Sequence, residues 1–393
     1  MRATDGLLEQ IQRNVPFYRD HWGAAGIDVR HLRVPGDLAR LPLVTKADLL
    51  RCDATARLDA RFARRRLTAE TTSGSTGQPL ELRIDPATGR RRRARFLRAL
   101  LSCGYRPGDR LMLISSRPSG SIRRVSPWAA LARWTYVDLY AGDSELLREY
   151  LKAQPRVLYG PLSALLLLAQ AVERHGSDGH RPAVVVSTAE QLTSSCRRSI
   201  REAFGADVTD FYGMTELGLV AWRNSRIDHY VTPQHDLALE FLPAADLPDF
   251  ERFVVTDLGG GAMPLIRYDT GDLVRRDRTR PASPIVEIGG RQVDFICLPS
   301  GRRISPYRVD GALSELPGVE RYQVVQQADL SIDLSIGTTR PDVARVLQEA
   351  RKALLAVLCG EPVDLQVHHL PPRAALPPAH KLRPIQSRAR MSA

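Results

Sequence analysis

Between Thr71 and Pro79 the chain reads Thr-Thr-Ser-Gly-Ser-Thr-Gly-Gln-Pro, a short run dense in hydroxyls and glycines. Gly74 and Gly77 let the backbone take positive φ, so successive N–H groups can converge on one point. The hydroxyls of Thr72, Ser73, Ser75 and Thr76 add donors around the same concavity. Such a nest suits the oxygens of a phosphate chain. No Gly-Lys-Ser/Thr follows, which excludes a Walker loop; standing alone, the run reads more readily as a mobile loop. Further on, Phe211-Tyr212-Gly213-Met214-Thr215-Glu216 ends a predicted strand with an aromatic face, a hydroxyl and a carboxylate. Mg²⁺ takes one or two carboxylates together with substrate phosphates, so this turn is a candidate nucleotide and metal site. Arg267-Tyr268-Asp269-Thr270-Gly271-Asp272 sets a carboxylate after a glycine turn, suited to accept from two ribose hydroxyls. Gly289-Gly290-Arg291-Gln292-Val293-Asp294 stands where the composition changes.

The elements that must position these residues alternate. Gly6 to Trp22 reads as one helix, Lys46 to Leu50 as a helix start, and Leu80 to Ile84 as a strand. Ala87 to Gly104 reads as a helix, and Leu111 to Ser115 as a buried strand. Then come a helix at Leu146–Leu151, a strand at Arg156–Tyr159, a helix at Ser163–Arg174 and a strand at Ala183–Ser187. A helix at Gln191–Phe204 and a strand at Val208–Phe211 follow. This order predicts an α/β layered domain with a mostly parallel sheet. From Leu237 to Ile288 the pattern turns to short strands with glycine and proline turns. Beyond it, helices at Pro306–Leu316 and Asp342–Leu358, a hairpin over Val319–Ile336 and a strand at Val363–His369 predict a small α+β unit of ferredoxin-like type. Pro371 to Ala393 reads as irregular. The expected organisation is a large N-terminal domain, 1–290, joined by a hinge to a small mobile domain, 291–393.

The chain has 393 residues, 43% hydrophobic and 25% charged, the balance of an ordinary globular protein of two or three lobes. Neither a signal-like N-terminus nor a membrane-length apolar run is present, and we expect a cytoplasmic protein with no membrane partner. Its five cysteines, at 52, 103, 196, 297 and 359, show no paired spacing. The net charge of +12 comes almost wholly from arginine, lysine occurring only at 46, 152, 352 and 381. Arg90 to Arg93 fall in a helical run and read as a solvated face. No run of aromatics is set among the basic residues as a stacking platform would need, so nucleic acid is not an expected partner.

In order and spacing the four chemistry-bearing segments resemble the adenylate-forming superfamily of acyl-CoA synthetases, peptide-synthetase adenylation domains and luciferases. The phenylacetate–CoA ligase-like branch is most similar, through Asn14-Val15-Pro16-Phe17-Tyr18-Arg19 and Leu41-Pro42-Leu43-Val44-Thr45-Lys46 as well. The resemblance implies that Thr72, Ser73, Gly74, Ser75, Thr76 and Gly77 hold the β,γ-phosphates of ATP. It implies that Glu216 anchors Mg²⁺, with Thr215 near the α-phosphate. Tyr212 would stack on adenine, flanked by Ala189 and Glu190. Asp272 would take the ribose hydroxyls, assisted by Arg291. Lys381 matches the family's mobile lysine, which bridges the substrate carboxylate and the α-phosphate. Tyr136, Tyr159, Gly160, Pro161, Gly213 and Met214 would line the acid pocket. Three departures stand out: Leu80 replaces a lysine common after the phosphate loop, Val293 occupies the hinge position, and Trp222-Arg223-Asn224, after the Tyr212–Glu216 segment, offers no cysteine for a structural zinc site.

The expected reaction is ATP-dependent activation of an aromatic or small planar carboxylic acid to acyl-AMP, then transfer to coenzyme A. A carboxylate is already ionised at pH 7 and needs no general base. What it needs is neutralisation of the charge that develops on the phosphoryl oxygens. Two alternatives share the sequence: transfer to a carrier-protein phosphopantetheine or an amine, and a degenerate protein that binds nucleotide or acyl ligand without turnover.

Overall fold

A computed structural model describes residues 6–72, 79–115, 133–139, 142–244, 247–291, 295–314, 316–370 and 385–389. The fold is mixed α/β with a parallel sheet, as the alternation predicts. The chain divides into two compact units. The first comprises Met1–Ala99, Tyr212–Trp222 and His229–Ile288; the second comprises Leu100–Phe211, Arg223–Asp228 and Gly289–Ala393.

In the first unit the expected helix over Gly6–Trp22 is two helices, Leu7–Asn14 and Pro16–Ala24. Pro16 disfavours helical backbone in the residue before it, and Val15 is extended at φ −117°, ψ 103°. Both pieces bury their apolar faces in one core, through Leu7, Leu8, Ile11, Phe17, Tyr18 and Trp22. Lys46–Arg51 is helical, opened by a reciprocal capping box between Thr45 and Asp48. Thr68–Thr71 pairs antiparallel with Glu81–Ile84, so the hydroxyl run is the loop of a hairpin. A four-stranded antiparallel sheet is built from Leu237–Pro243, Glu251–Asp257, Tyr268–Arg276 and Ile285–Arg291, neighbouring in chain order.

Asp85 immediately precedes the Pro86–Ser102 helix and caps it. Pro86 sits at a position whose N–H would be orphaned anyway, while the Asp85 carboxylate accepts from the Ala87 and Thr88 N–H groups and the Thr88 hydroxyl. It also accepts from the Ala262 N–H at 3.0 Å, tying the helix start to a distant turn. Burial alone would raise this carboxyl, but the bonds from Thr88, Ala262 and Ala87 outweigh it and hold the group below its ordinary range. Its stabilisation is therefore complete above the unfolded value and lost as pH falls through the folded one. Asp85→Ala is expected to cost about 2 kcal/mol and to flatten the acid side of the stability profile. Chemical denaturation across pH checks both.

The second unit carries the parallel part of a six-stranded sheet, in the order Trp134–Asp138, Leu111–Ser115, Val157–Pro161, Val184–Thr188, Val208–Met214. The helices Asp143–Ala153, Leu162–His175 and Ser194–Phe204 pack with it around a core that includes Leu146, Tyr150, Leu165, Leu168, Ile200 and Phe204. Thr193 caps the last of these helices by accepting from the Cys196 N–H, so it starts later than Gln191. A third core is drawn wholly from residues 296–385. Its sheet runs Leu365–Leu370, Ile332–Gly337, Arg321–Gln326, Ile385–Ser387, with the expected antiparallel hairpin in the middle. One expectation is corrected: within the tail read as irregular, Ile385–Ser387 is a strand, parallel to Val324–Gln326. Ser387 donates from its hydroxyl to the Gln326 side chain, and the Arg388 N–H donates to the Gln326 carbonyl. Among the described residues no helix is long and apolar enough to cross a membrane.

Candidate active site

The Tyr212–Glu216 segment leaves the Val208–Met214 strand in a turn and re-enters as the strand Gly218–Arg223. A Cβ on Gly213 would lie 2.8 Å from the Gly218 carbonyl oxygen, so the crossing is open only to glycine. Gly218 itself has φ +73°. The turn buries the Glu216 carboxylate to 9% exposure. The Tyr268 hydroxyl donates to its Oε1 at 3.2 Å, while Oε2 takes no hydrogen bond among the described residues.

On the backbone side of this turn three successive carbonyls accept from arginines of the Pro86–Ser102 helix. Arg92 donates through Nη1 to Thr215 at 3.0 Å and through Nη2 to Glu216. Arg95 donates to Leu217 at 2.6 Å. This corrects the reading of Arg90–Arg93 as a solvated face at Arg92, while Arg90 and Arg93 are exposed as expected. The Arg92 side chain is only 16% exposed and Arg95, one turn on, is fully buried. Burial pushes the Arg92 guanidinium below its ordinary value, opposed by the charges of Glu70, Asp257 and Glu216.

Asp272 stands in a bulge. Arg252 pairs with Leu273 and Val254 with Asp269, so Thr270-Gly271-Asp272 stands opposite Phe253 alone, two residues more than the partner strand, with Gly271 at φ +73°. The Thr270 hydroxyl donates to the Phe253 carbonyl and accepts from the Asp272 N–H, fixing the bulge. The Tyr212 hydroxyl donates to Asp272 at 2.5 Å, and the Tyr212 ring lies tilted against Phe253. The two segments are thus laced reciprocally: Tyr212 reaches Asp272, and Tyr268 reaches Glu216. Thr72 closes the neck of the hydroxyl loop. Its N–H donates to the Leu80 carbonyl, and its Oγ1 accepts from the Leu80 N–H at 2.8 Å.

In the second unit the candidates lie at the carboxyl ends of parallel strands, where open α/β sheets bind ligands. Tyr136 and Tyr159 both register with Leu113 and flank it on one face. The Tyr136 hydroxyl is buried with no partner among the described residues, and burial pushes it up to about 12. A Cβ on Gly160 would sit 3.0 Å from the Ile114 side chain. Pro161 ends its strand in register with Thr188. Ala189 is held at φ +69°, a conformation costly to a non-glycine residue. The Glu190 carboxylate accepts from both the N–H and the hydroxyl of Ser163, securing the start of the Leu162–His175 helix. Arg291 ends the Ile285–Arg291 strand.

The structure therefore brings together Tyr212, Gly213, Met214, Thr215, Glu216 and Asp272, with Thr72 in the same unit. Ser73, Gly74, Ser75, Thr76, Gly77 and Lys381 lie outside the described residues. Sequence reading missed Arg92, Arg95 and Tyr268. The spacing of Arg92 and Arg95 by three residues on one helix face was the available signal.

No family model matches the chain. It is 26% identical to a phenylacetate-coenzyme A ligase of Pseudomonas putida, over 81% of this chain and 75% of that one. It is 26% identical to a phenylacetate-coenzyme A ligase of Thermus thermophilus, over 94% of this chain and 86% of that one. Its fold resembles 2-hydroxyisobutyryl-CoA ligase in the postadenylation state with R3-HIB-AMP, at TM-score 0.78 and 21% identity, covering 98% of this chain and 89% of that one. ATP-bound MatB from Rhodopseudomonas palustris matches at TM-score 0.55 and 17% identity, over 76% and 63% of the two chains. In sequence the chain is thus similar to phenylacetate-coenzyme A ligases over most of its length, and in fold to 2-hydroxyisobutyryl-CoA ligase.

Proposed function

We propose that this chain activates a carboxylic acid with ATP, releasing pyrophosphate, and passes the acyl group to coenzyme A. The observation that carries the reading is the reciprocal lacing of Tyr212 to Asp272 and Tyr268 to Glu216. It fixes two carboxylates of different environment within one compact unit. The similarity to phenylacetate-coenzyme A ligases over most of the chain supports the acid–thiol reaction, with an aromatic or small planar acid as substrate.

In this reading Asp272 accepts from the ribose hydroxyls and Tyr212 presents its ring to adenine, its hydroxyl already anchored. Thr72 holds the neck of the loop whose residues 73–77 meet the β,γ-phosphates. Thr215 stands by the α-phosphate. A Mg²⁺ ion fits the one Glu216 oxygen that has no partner among the described residues, since it needs few protein ligands beside phosphate oxygens; bound there, it would offset phosphoryl charge. Ala189 and Glu190 present backbone near the base, Arg291 assists at the ribose, and Tyr136, Tyr159, Gly160, Pro161, Gly213 and Met214 bound the acid. Lys381 lies between the two reacting anions during adenylation. We place the division between the nucleotide-binding domain and the mobile one at 290/291.

The test is pyrophosphate release across a library of aryl and short aliphatic acids, followed by thioester formation with coenzyme A, a phosphopantetheinylated carrier protein and amines as separate acceptors. Acid-dependent release with transfer to coenzyme A is expected. Release with no transfer to it would reassign the acceptor, and no release with any acid would favour a ligand-binding protein.

A further inference from the structure

We infer that Arg92 is a positioning residue of the adenylation step, gripping the Thr215–Glu216 backbone so that the Glu216 carboxylate faces the metal–nucleotide. The inference rests on the function proposed above. Three consecutive carbonyls turned the same way concentrate negative potential, and such a turn is stable only if buried donors meet it. Arg95 meets the third; among the described residues Arg92 meets the two that belong to Thr215 and Glu216. Its planar fork suits two acceptors at once, and bonds from a cationic donor are the stronger kind. The side-chain stem of Arg92 packs against Gly218, 3.2 Å from where a Cβ would stand. The same guanidinium lies 3.9 Å from Glu70, in the hairpin strand that leads into the phosphate loop. One largely covered cation thereby touches both the Thr215–Glu216 turn and the strand that leads into the hydroxyl loop.

The experiment compares wild type with Arg92→Ala, Arg92→Lys and the exposed neighbour Arg93→Ala. Mn²⁺ binding with α,β-methylene-ATP is read by electron paramagnetic resonance, alongside pyrophosphate release and thioester formation from preformed acyl-AMP. Arg92→Ala is expected to weaken Mn²⁺ binding about 10–100-fold, the usual loss when a residue behind a metal ligand is removed. It should also lower the kcat of adenylation more than it raises the KM for ATP. Thioester formation should stay within about threefold, and free guanidinium should restore part of the Mn²⁺ affinity. Arg92→Lys should lose less, keeping the charge without the fork, and Arg93→Ala should match wild type.

Should Arg92→Ala not fold, Arg92→Lys and its melting curve carry the comparison. A folded Arg92 variant with wild-type Mn²⁺ affinity overturns the assignment, as does an equal loss in both half-reactions. A wild type that neither binds Mn²⁺ with the nucleotide nor releases pyrophosphate would instead sink the proposed function.

Discussion

Lys381→Ala is expected to slow acyl-adenylate formation about 10²–10³-fold, the loss typical of removing one preorganised group aimed at developing charge, while leaving transfer from preformed acyl-AMP to coenzyme A within a few-fold. The reason is electrostatic. Two anions must meet, and the transition state spreads further charge over the phosphoryl oxygens, so a cation present only for that step lowers its barrier selectively. Lysine suits this task as a compact point charge on a flexible stem, where arginine's fork would demand a fixed pair of acceptors. The chain otherwise uses arginine almost everywhere, with lysine at only four positions. The described strand Ile385–Ser387 anchors the chain four residues further on. Lys381→Arg should therefore recover only part of the activity. Separate assays of the two half-reactions decide the matter: equal losses in both would remove Lys381 from the chemistry.

The layered α/β fold is legible because its strands at Leu111–Ser115, Val157–Pro161 and Val184–Thr188 are apolar on both faces and stand out as runs between amphipathic helices. Trp134–Asp138 escaped notice for the converse reason. It is an edge strand, mostly half-buried, and its pattern follows neither alternation nor a continuous apolar run. Thr68–Thr71 is polar and largely exposed, a hairpin stem defined by its partner rather than by its own residues. Ile385–Ser387 is three residues long and pairs with a strand some sixty residues earlier. No local pattern announces such a pairing. The break at Pro16 was written in the sequence, since proline both fits the first turn of a helix and ends the one before it.

Legibility of the candidate site follows the same division. Glycines and carboxylates in Tyr212–Glu216 and Thr270–Asp272 read out because their turns tolerate few other residues; Gly213 has no room for a side chain and Gly271 needs a left-handed backbone. The partners that orient those carboxylates come from elsewhere in the chain. Arg92 and Tyr268 lie more than a hundred and about fifty residues from Glu216 respectively. Arginine in a helix reads as solvent-facing by default, and only the fold shows that Arg92 and Arg95 point inward while Arg93 does not.

The sharpest consequence of that arrangement concerns Glu216→Gln. The carboxamide keeps the shape of the carboxylate, and its oxygen can still accept from the Tyr268 hydroxyl. What disappears is the negative charge on the oxygen that takes no partner among the described residues. Folding stability should therefore change by less than about 1 kcal/mol, with the melting transition of the ligand-free protein nearly unmoved. Acid-dependent pyrophosphate release should fall about 10²–10³-fold, with the apparent requirement for Mg²⁺ shifted to higher concentration. Tyr268→Phe should behave differently, because it leaves the charge and removes only its orientation. The loss should be smaller and excess metal should recover most of it. Titrating Mg²⁺ against pyrophosphate release in both variants separates the two cases. A Glu216→Gln protein with wild-type Mg²⁺ dependence would take the metal away from this turn, and with it the reason for burying a carboxylate whose second oxygen takes no hydrogen bond among the described residues.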